Sequence, residues 1–164
     1  MTAMRALLGA FLLTLTSVCA AYDANGVGLG ATEKAVLDRF PAAACKPLQW
    51  ASHAADRRCD DTKVVIGGVL SRITFYLKQD RVQAFDVRLE SKDAERFAQF
   101  LKKRYGVPAN ETRDSPEPSR GGELYKVLWE KGSERAVLTA QTEKRRAFFT
   151  VSRGDFEDEI YRVR

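Results

Sequence analysis

The side chains with the most chemical potential crowd between positions 45 and 61, where Cys45, Trp50, His53, Asp56, Arg57, Arg58, Cys59, Asp60 and Asp61 lie close in sequence. His53 is the single histidine of the 164-residue chain, so any scheme that needs an imidazole runs through it. With Cys45, Cys59 and either Asp56 or Asp60 it could complete a zinc-type set. The spacing is not Cys-x-x-Cys, however, and thiolates outside the cytosol tend to oxidise. A Cys–His nucleophile needs the same thiols reduced. A Ser–His–Asp scheme finds no Gly-x-Ser-x-Gly turn to present its serine. Paired carboxylates for glycosidase-type hydrolysis stay open, since their pairing depends on spatial separation. Asp60 with Asp61, and the run Asp155, Glu157, Asp158 and Glu159, read more simply as solvated charge. Gly26, Gly28 and Gly30 have the look of a phosphate loop, but no strand precedes them and no Gly-Lys-Ser/Thr ending follows. The sequence therefore assigns no catalytic residue, no metal ligand and no cofactor, and the protein reads as a non-enzyme.

What the same stretch offers is recognition. Trp50, His53, Arg57 and Arg58 sit between the two cysteines, and a Trp–Arg cluster on a braced loop is the composition of a binding hot spot. Three basic groups stand out: Arg57–Arg58, Lys102–Arg104 and Lys144–Arg146. They would suit an anionic lipid, an anionic envelope component or an acidic protein patch. Nucleic acid does not fit an exported chain, and export is what the first twenty residues indicate. Arg5 gives a short positive n-region, Ala6 to Leu15 an apolar stretch, and Ser17 to Ala20 a run of small residues ending in a cleavage signal. Cleavage near Ala20 would leave 144 residues and place the protein in the periplasm or outside the cell. It would remove Cys19 and Arg5, lowering the formal charge from +5 to +4. Cys45 and Cys59 then remain as a pair, read as a disulfide that pins a local loop.

These residues need elements to hold them. The length fits one domain over 21–164, and no apolar run past residue 20 is long enough to span a bilayer. Thr32 can cap a helix whose inner face carries Val36 and Phe40 and which Pro41 ends. Residues 42 to 62 have no clean period and read as the disulfide loop with one short strand at most. Alternation from Lys63 to Glu90, with Ile73, Phe75 and Leu77 and then Phe85, Val87 and Leu89, predicts an antiparallel hairpin. Ala94, Phe97, Ala98, Leu101 and Tyr105 fall at helical spacing over Ser91 to Tyr105, with Gly106 and Pro108 as terminators. The stretch 107–122, with three prolines, reads as a mobile loop. Three further strands follow, with Trp129 in the core, and the tail after Gly154 is charged. The expectation is an α+β monomer with two amphipathic helices on one face of an antiparallel sheet, in the order helix, strands, helix, strands.

The segment Gly28 to Pro41, with Thr32, Val36 and Phe40, followed by Cys45 and Cys59, resembles the opening of the BamE-like and β-lactamase-inhibitor-protein repeats over about residues 26 to 90. Ala31 stands where many members carry a Met-like residue, and Phe40–Pro41 replaces a common glycine. Phe97 to Pro108, with Trp129 in a later strand, is similar to uncharacterised exported bacterial proteins. The resemblance implies a non-catalytic protein-binding module of the bacterial envelope, whose partner is an envelope protein or anionic envelope component. Two alternatives stand beside it: a secreted inhibitor that plugs a hydrolase with the Trp50 loop, and an envelope hydrolase using paired carboxylates.

Overall fold

The computed structural model describes residues 20–114, 122–154, 156 and 160. Residues 1–19 of the expected signal peptide, 1–20, lie outside the described residues, as do 115–121 of the expected mobile loop and most of the charged tail. A short hairpin, β1 (Asp23–Ala24) with β2 (Val27–Gly28), precedes helix α1 (Glu33–Arg39). Four strands follow: β3 (Ala44–Pro47), β4 (Arg57–Ile66), β5 (Val69–Lys78) and β6 (Arg81–Glu90). A 3-10 turn (Ser91–Asp93) leads into α2 (Ala94–Tyr105). Then come β7 (Asn110–Asp114), β8 (Leu124–Lys131), β9 (Glu134–Gln141) and β10 (Arg146–Arg153).

Strands β3 to β10 form one antiparallel sheet in the order β3-β4-β5-β6-β10-β9-β8-β7. The second four-strand meander runs back toward the first, and the two meet where β6 pairs with β10. The α+β expectation is thereby corrected. Strand makes up 52% and helix only 18%, the sheet has eight strands, and a hairpin stands ahead of the first helix. The physical reason lies in the strands that carry no one-sided apolar pattern. β4 opens with Arg57, Arg58, Asp60 and Asp61, and β7 is exposed at all five positions, so neither announces itself by alternation. Cys45 and Cys59 are directly opposite in the β3–β4 register, and their disulfide is a cross-strand rung at the base of the segment 48–56 that joins the two strands.

Local signals explain the helices. Thr32 Oγ1 accepts from Ala35 N–H at 3.1 Å, and α1 ends one residue before Phe40, as Pro41 requires. Gly106, at φ +86°, closes α2 by donating to Lys102 O at 2.9 Å. At the β4–β5 turn, Gly67 is also left-handed, and a Cβ there would come within 2.4 Å of the Phe100 ring. The 93rd residue does not cap α2; its carboxylate takes Arg96 at 3.2 Å instead.

Both helices lay their apolar sides on one face of the sheet. Val36 and Phe40 from α1, and Phe97, Ala98 and Leu101 from α2, join one core with Phe75, Phe85, Phe149, Leu138 and Trp129. Aromatic rings run through it in contact: Phe40 to Phe75 at 5.1 Å, Phe75 to Phe85 at 5.6 Å, Phe85 to Phe149 at 6.3 Å and Phe149 to Phe97 at 5.7 Å. Tyr105 ties this core to the first hairpin, donating to Asp23 O at 2.7 Å and accepting from Asp23 N–H at 3.2 Å. Burial pushes its hydroxyl up to about 12, so it stays a donor across the neutral range. No helix among the described residues is long and apolar enough to cross a membrane.

Candidate functional site

Side chains alternate between the two faces of a strand, so register decides what the sheet's second face presents. Opposite the helices, one row runs Arg58, Tyr76, Ala84, Ser152 and Arg135. The middle of this row is covered, while Arg135 at its end is exposed. Ala54, Ala55, Phe156 and Ile160 pack with Tyr76 and Ala84, and Leu48 and Trp50 close over them. The segment between β3 and β4 thus folds over the second face as a small second core. Trp50 anchors it, its indole N–H donating to Ile160 O at 2.8 Å.

The next two rows are open. One carries Asp60, Thr74, Asp86, Thr150, Val137 and Leu128, all half-buried. The other carries Arg72, Arg88, Phe148, Thr139 and Lys126, of which all but Thr139 are exposed. A groove of about 690 Å³ lies over Asp60, Thr74, Arg72, Arg88 and Phe148. A second, of about 640 Å³, shares Thr62, Arg72 and Arg88 with the first and continues to Lys63, Leu70 and the β9–β10 turn.

The four residues singled out for a binding surface do not form one patch. Trp50 is half-buried in the second core and His53 is exposed. Arg57 forks onto Glu33 of α1 at 2.7 and 3.0 Å. Arg58 points the other way, with its Nε 3.0 Å from Asp60 Oδ2. That nitrogen is buried and its N–H is not directed at the oxygen, so the contact is an ion pair without a hydrogen bond. Neighbours on a strand cannot share a face, and this divides the Arg57–Arg58 group. His53 stands apart from the one metal-like grouping among the described residues, in which the Glu33 carboxylate and the sulfurs of Cys45 and Cys59 lie within 4.8 Å of one another. Joined as a disulfide, those sulfurs offer no thiolate.

Ion pairing separates the three basic groups. Arg57 and Arg58 are engaged as described. In the second group, Lys102 pairs with Glu111 at 2.6 Å and Arg104 with Asp23 at 2.6 Å. Lys144, Arg145 and Arg146 take part in no ion pair among the described residues. Two arginines that the sequence left unremarked join them, because β5, β6 and β10 are neighbours in the sheet. Arg72 is the direct cross-strand partner of Arg88, and Arg88 is the partner of Phe148, two positions from Arg146. Arg88 also lies 5.7 Å from the centre of the Phe148 ring, a cation–π contact. Lys63 completes the lining, and Glu90, the one carboxylate in it, is held at 2.6 Å by Lys92. The hydrogen bond from Lys92 keeps the Glu90 carboxyl below its ordinary range.

The carboxylates of the open face are arranged for structure. Asp60 accepts from Thr74 Oγ1 at 2.8 Å and meets Arg58 and Lys46, and Thr74 separates it from Asp86 by one whole strand. The buried carboxylates, Asp61 and Glu134, accept backbone N–H groups from Lys63 and Ala21.

No protein-family profile, no curated protein and no solved structure matches this chain.

Proposed function

We propose that the protein is an exported, non-catalytic binding module of the cell envelope that takes its partner on the open part of its sheet. The observation that carries this is the division of the second face. Tyr76 and Ala84 of one row are covered by Trp50, Ala54, Ala55, Phe156 and Ile160, while the two rows beside it keep Phe148, Val137 and Leu128 accessible among Arg72, Arg88 and Lys126. An apolar stripe rimmed by cations is the composition of a recognition surface. The resemblance of Gly28 to Pro41 to envelope binding modules points the same way. Trp50 anchors the covering segment and does not project from it, which weighs against an inhibitor that inserts the Trp50 loop.

The test is site-specific photo-crosslinking in the native envelope. A crosslinker at Thr139 or Val137 on the open face is expected to yield an adduct of defined mass, and one at the exposed Leu37 of α1 is expected to yield none. Adducts from Leu37 alone, or equally from both faces, would overturn the assignment.

A further inference from the structure

We propose that the cationic end of the open face binds phosphate-bearing lipid headgroups at a membrane surface. This rests on reading the open face as a docking surface and names the chemistry of one part of it. Arg72 and Arg88 face each other directly across the β5–β6 ladder, with Arg146 on the adjoining diagonal. Like charges directly opposite on a sheet destabilise it, and directly opposite positions are only about 5 Å apart. Lys63, Lys144 and Arg145 crowd the same groove of about 640 Å³. Other arginines are matched closely, as both carboxylate oxygens of Asp23 on Arg104 show. Here six cations line one groove with Glu90 alone among acids, and that acid, opposite Arg146, is held by Lys92, while Asp60, Asp61 and Asp86 line the adjoining groove. An anion seated between the guanidinium groups relieves the repulsion. Phosphate is the anion that suits planar, bidentate forks and carries enough charge to offset several of them.

The lipid source follows from what stands beside the groove. Val65 and Leu70 are cross-strand partners at the tip of the β4–β5 hairpin, 60% and 62% exposed, and Leu70 lines the groove itself. An exposed apolar pair at a hairpin tip, next to a basic groove, can touch the acyl boundary while the cations take the headgroups.

The test is cosedimentation with phosphatidylcholine vesicles, with and without phosphatidic acid. Binding is expected only with phosphatidic acid, and R72E/R88E is expected to weaken it by roughly tenfold or more. V65S/L70S should weaken it less, and inorganic pyrophosphate should compete. All four positions are exposed, so each variant can be checked for an unchanged melting temperature first. Equal binding to both vesicles, or full binding by R72E/R88E, would overturn the proposal. Pyrophosphate bound at the groove without vesicle binding would overturn the lipid source. If vesicles fail while Thr139 still crosslinks, this inference falls and the docking face stands.

A separate observation concerns Ala21. Its backbone N–H donates to Glu134 Oε2 at 2.9 Å, and Glu134, only 6% exposed, also takes Arg153 at 3.2 Å. We infer that hydrolysis of the Ala20–Ala21 bond, which leaves a carboxylate on Ala20 and an ammonium on Ala21, turns this amide-to-carboxylate bond into a half-buried ion pair. Removing the leader would then fasten the β1–β2 hairpin to β9, since the new ammonium adds a Coulomb attraction to a hydrogen bond whose acceptor is already charged. Chains beginning at Ala21 and at Ala20, each released from a cleavable fusion, are compared by thermal melting. The Ala21 form should melt higher, and Glu134→Gln should erase the difference. Equal melting of the two parent forms, or a difference that survives Glu134→Gln, would overturn it.

Discussion

Phe149→Ala is expected to destabilise the protein by about 3–5 kcal/mol, and to do so in a single transition. Phe149 lies on β10, between Val87 of β6 and Leu138 of β9, and is 2% exposed. Its ring lies 6.3 Å from Phe85, 5.7 Å from Phe97 and 6.4 Å from Tyr105. It therefore touches the first meander, the second helix and, through Tyr105, the N-terminal hairpin. Truncating it opens a cavity where the two meanders meet, and on the helix-bearing face neither has a separate core to fall back on, because the buried residues there form one cluster. Urea denaturation should show a lower midpoint with an unchanged slope. Two resolved transitions, or a loss within 1 kcal/mol, would contradict it. Phe148→Ala is the control: the next residue points to the open face at 40% exposure, and its loss should stay within about 0.5 kcal/mol.

That pair of neighbours shows what the sequence makes legible. Alternation marks Phe149 as buried and Phe148 as not, and the same rule finds Phe75, Phe85 and Val87 without any structure. Caps are equally local, and Thr32 and Gly106 act where their types require. The rule fails where a strand has nothing to bury on either side. Asn110–Asp114 forms the last strand at one edge, where exposed charges discourage further pairing, and so it looks like the loop around it. β4 fails for a different reason. Its Arg57 and Arg58 satisfy Glu33 on one face and Asp60 on the other, so both look solvent-bound while serving opposite layers.

The site is less legible than the fold, because it is made by pairing between strands. Arg72, Arg88 and Arg146 become neighbours only when β5, β6 and β10 are placed side by side, and the last of these pairings joins the two halves of the chain. Lys144–Arg146 was visible as a basic run, but so were two other groups. What distinguishes it is that Glu90, the register partner of Arg146, is taken by Lys92, while Arg72 and Arg88 join the same side from the neighbouring strands. Trp50 shows the converse. Its neighbours in sequence suggested a display loop, whereas its partners, Tyr76, Ala84 and Ile160, lie up to 110 positions away.

Removing the Cys45–Cys59 bond is expected to lower the melting temperature by roughly 10 °C, and to do so by releasing one edge of the sheet. A cross-link with a sequence separation of 14 constrains the unfolded chain by about 3 kcal/mol. In a chain of this size that amount corresponds to a fall of this order. The loss should be concentrated because β3 has little else to hold it. It has four residues, none of them buried, it ends in Pro47, and it pairs only with β4. Cys59 on β4 is fully buried against Phe75, so the rung is its main tie to the core. Once β3 detaches, the segment that carries Leu48 and Trp50 loses its anchor at one end and uncovers Tyr76 and Ala84. Cys45→Ala/Cys59→Ala should therefore combine a lower melting temperature with red-shifted emission from Trp50, while Trp129, 2% exposed at the other half of the sheet, keeps its spectrum. Trp50→Phe in the same background identifies the source of the shift. An unchanged melting temperature, or a shift that persists in Trp50→Phe, would show that the covering segment holds without the disulfide.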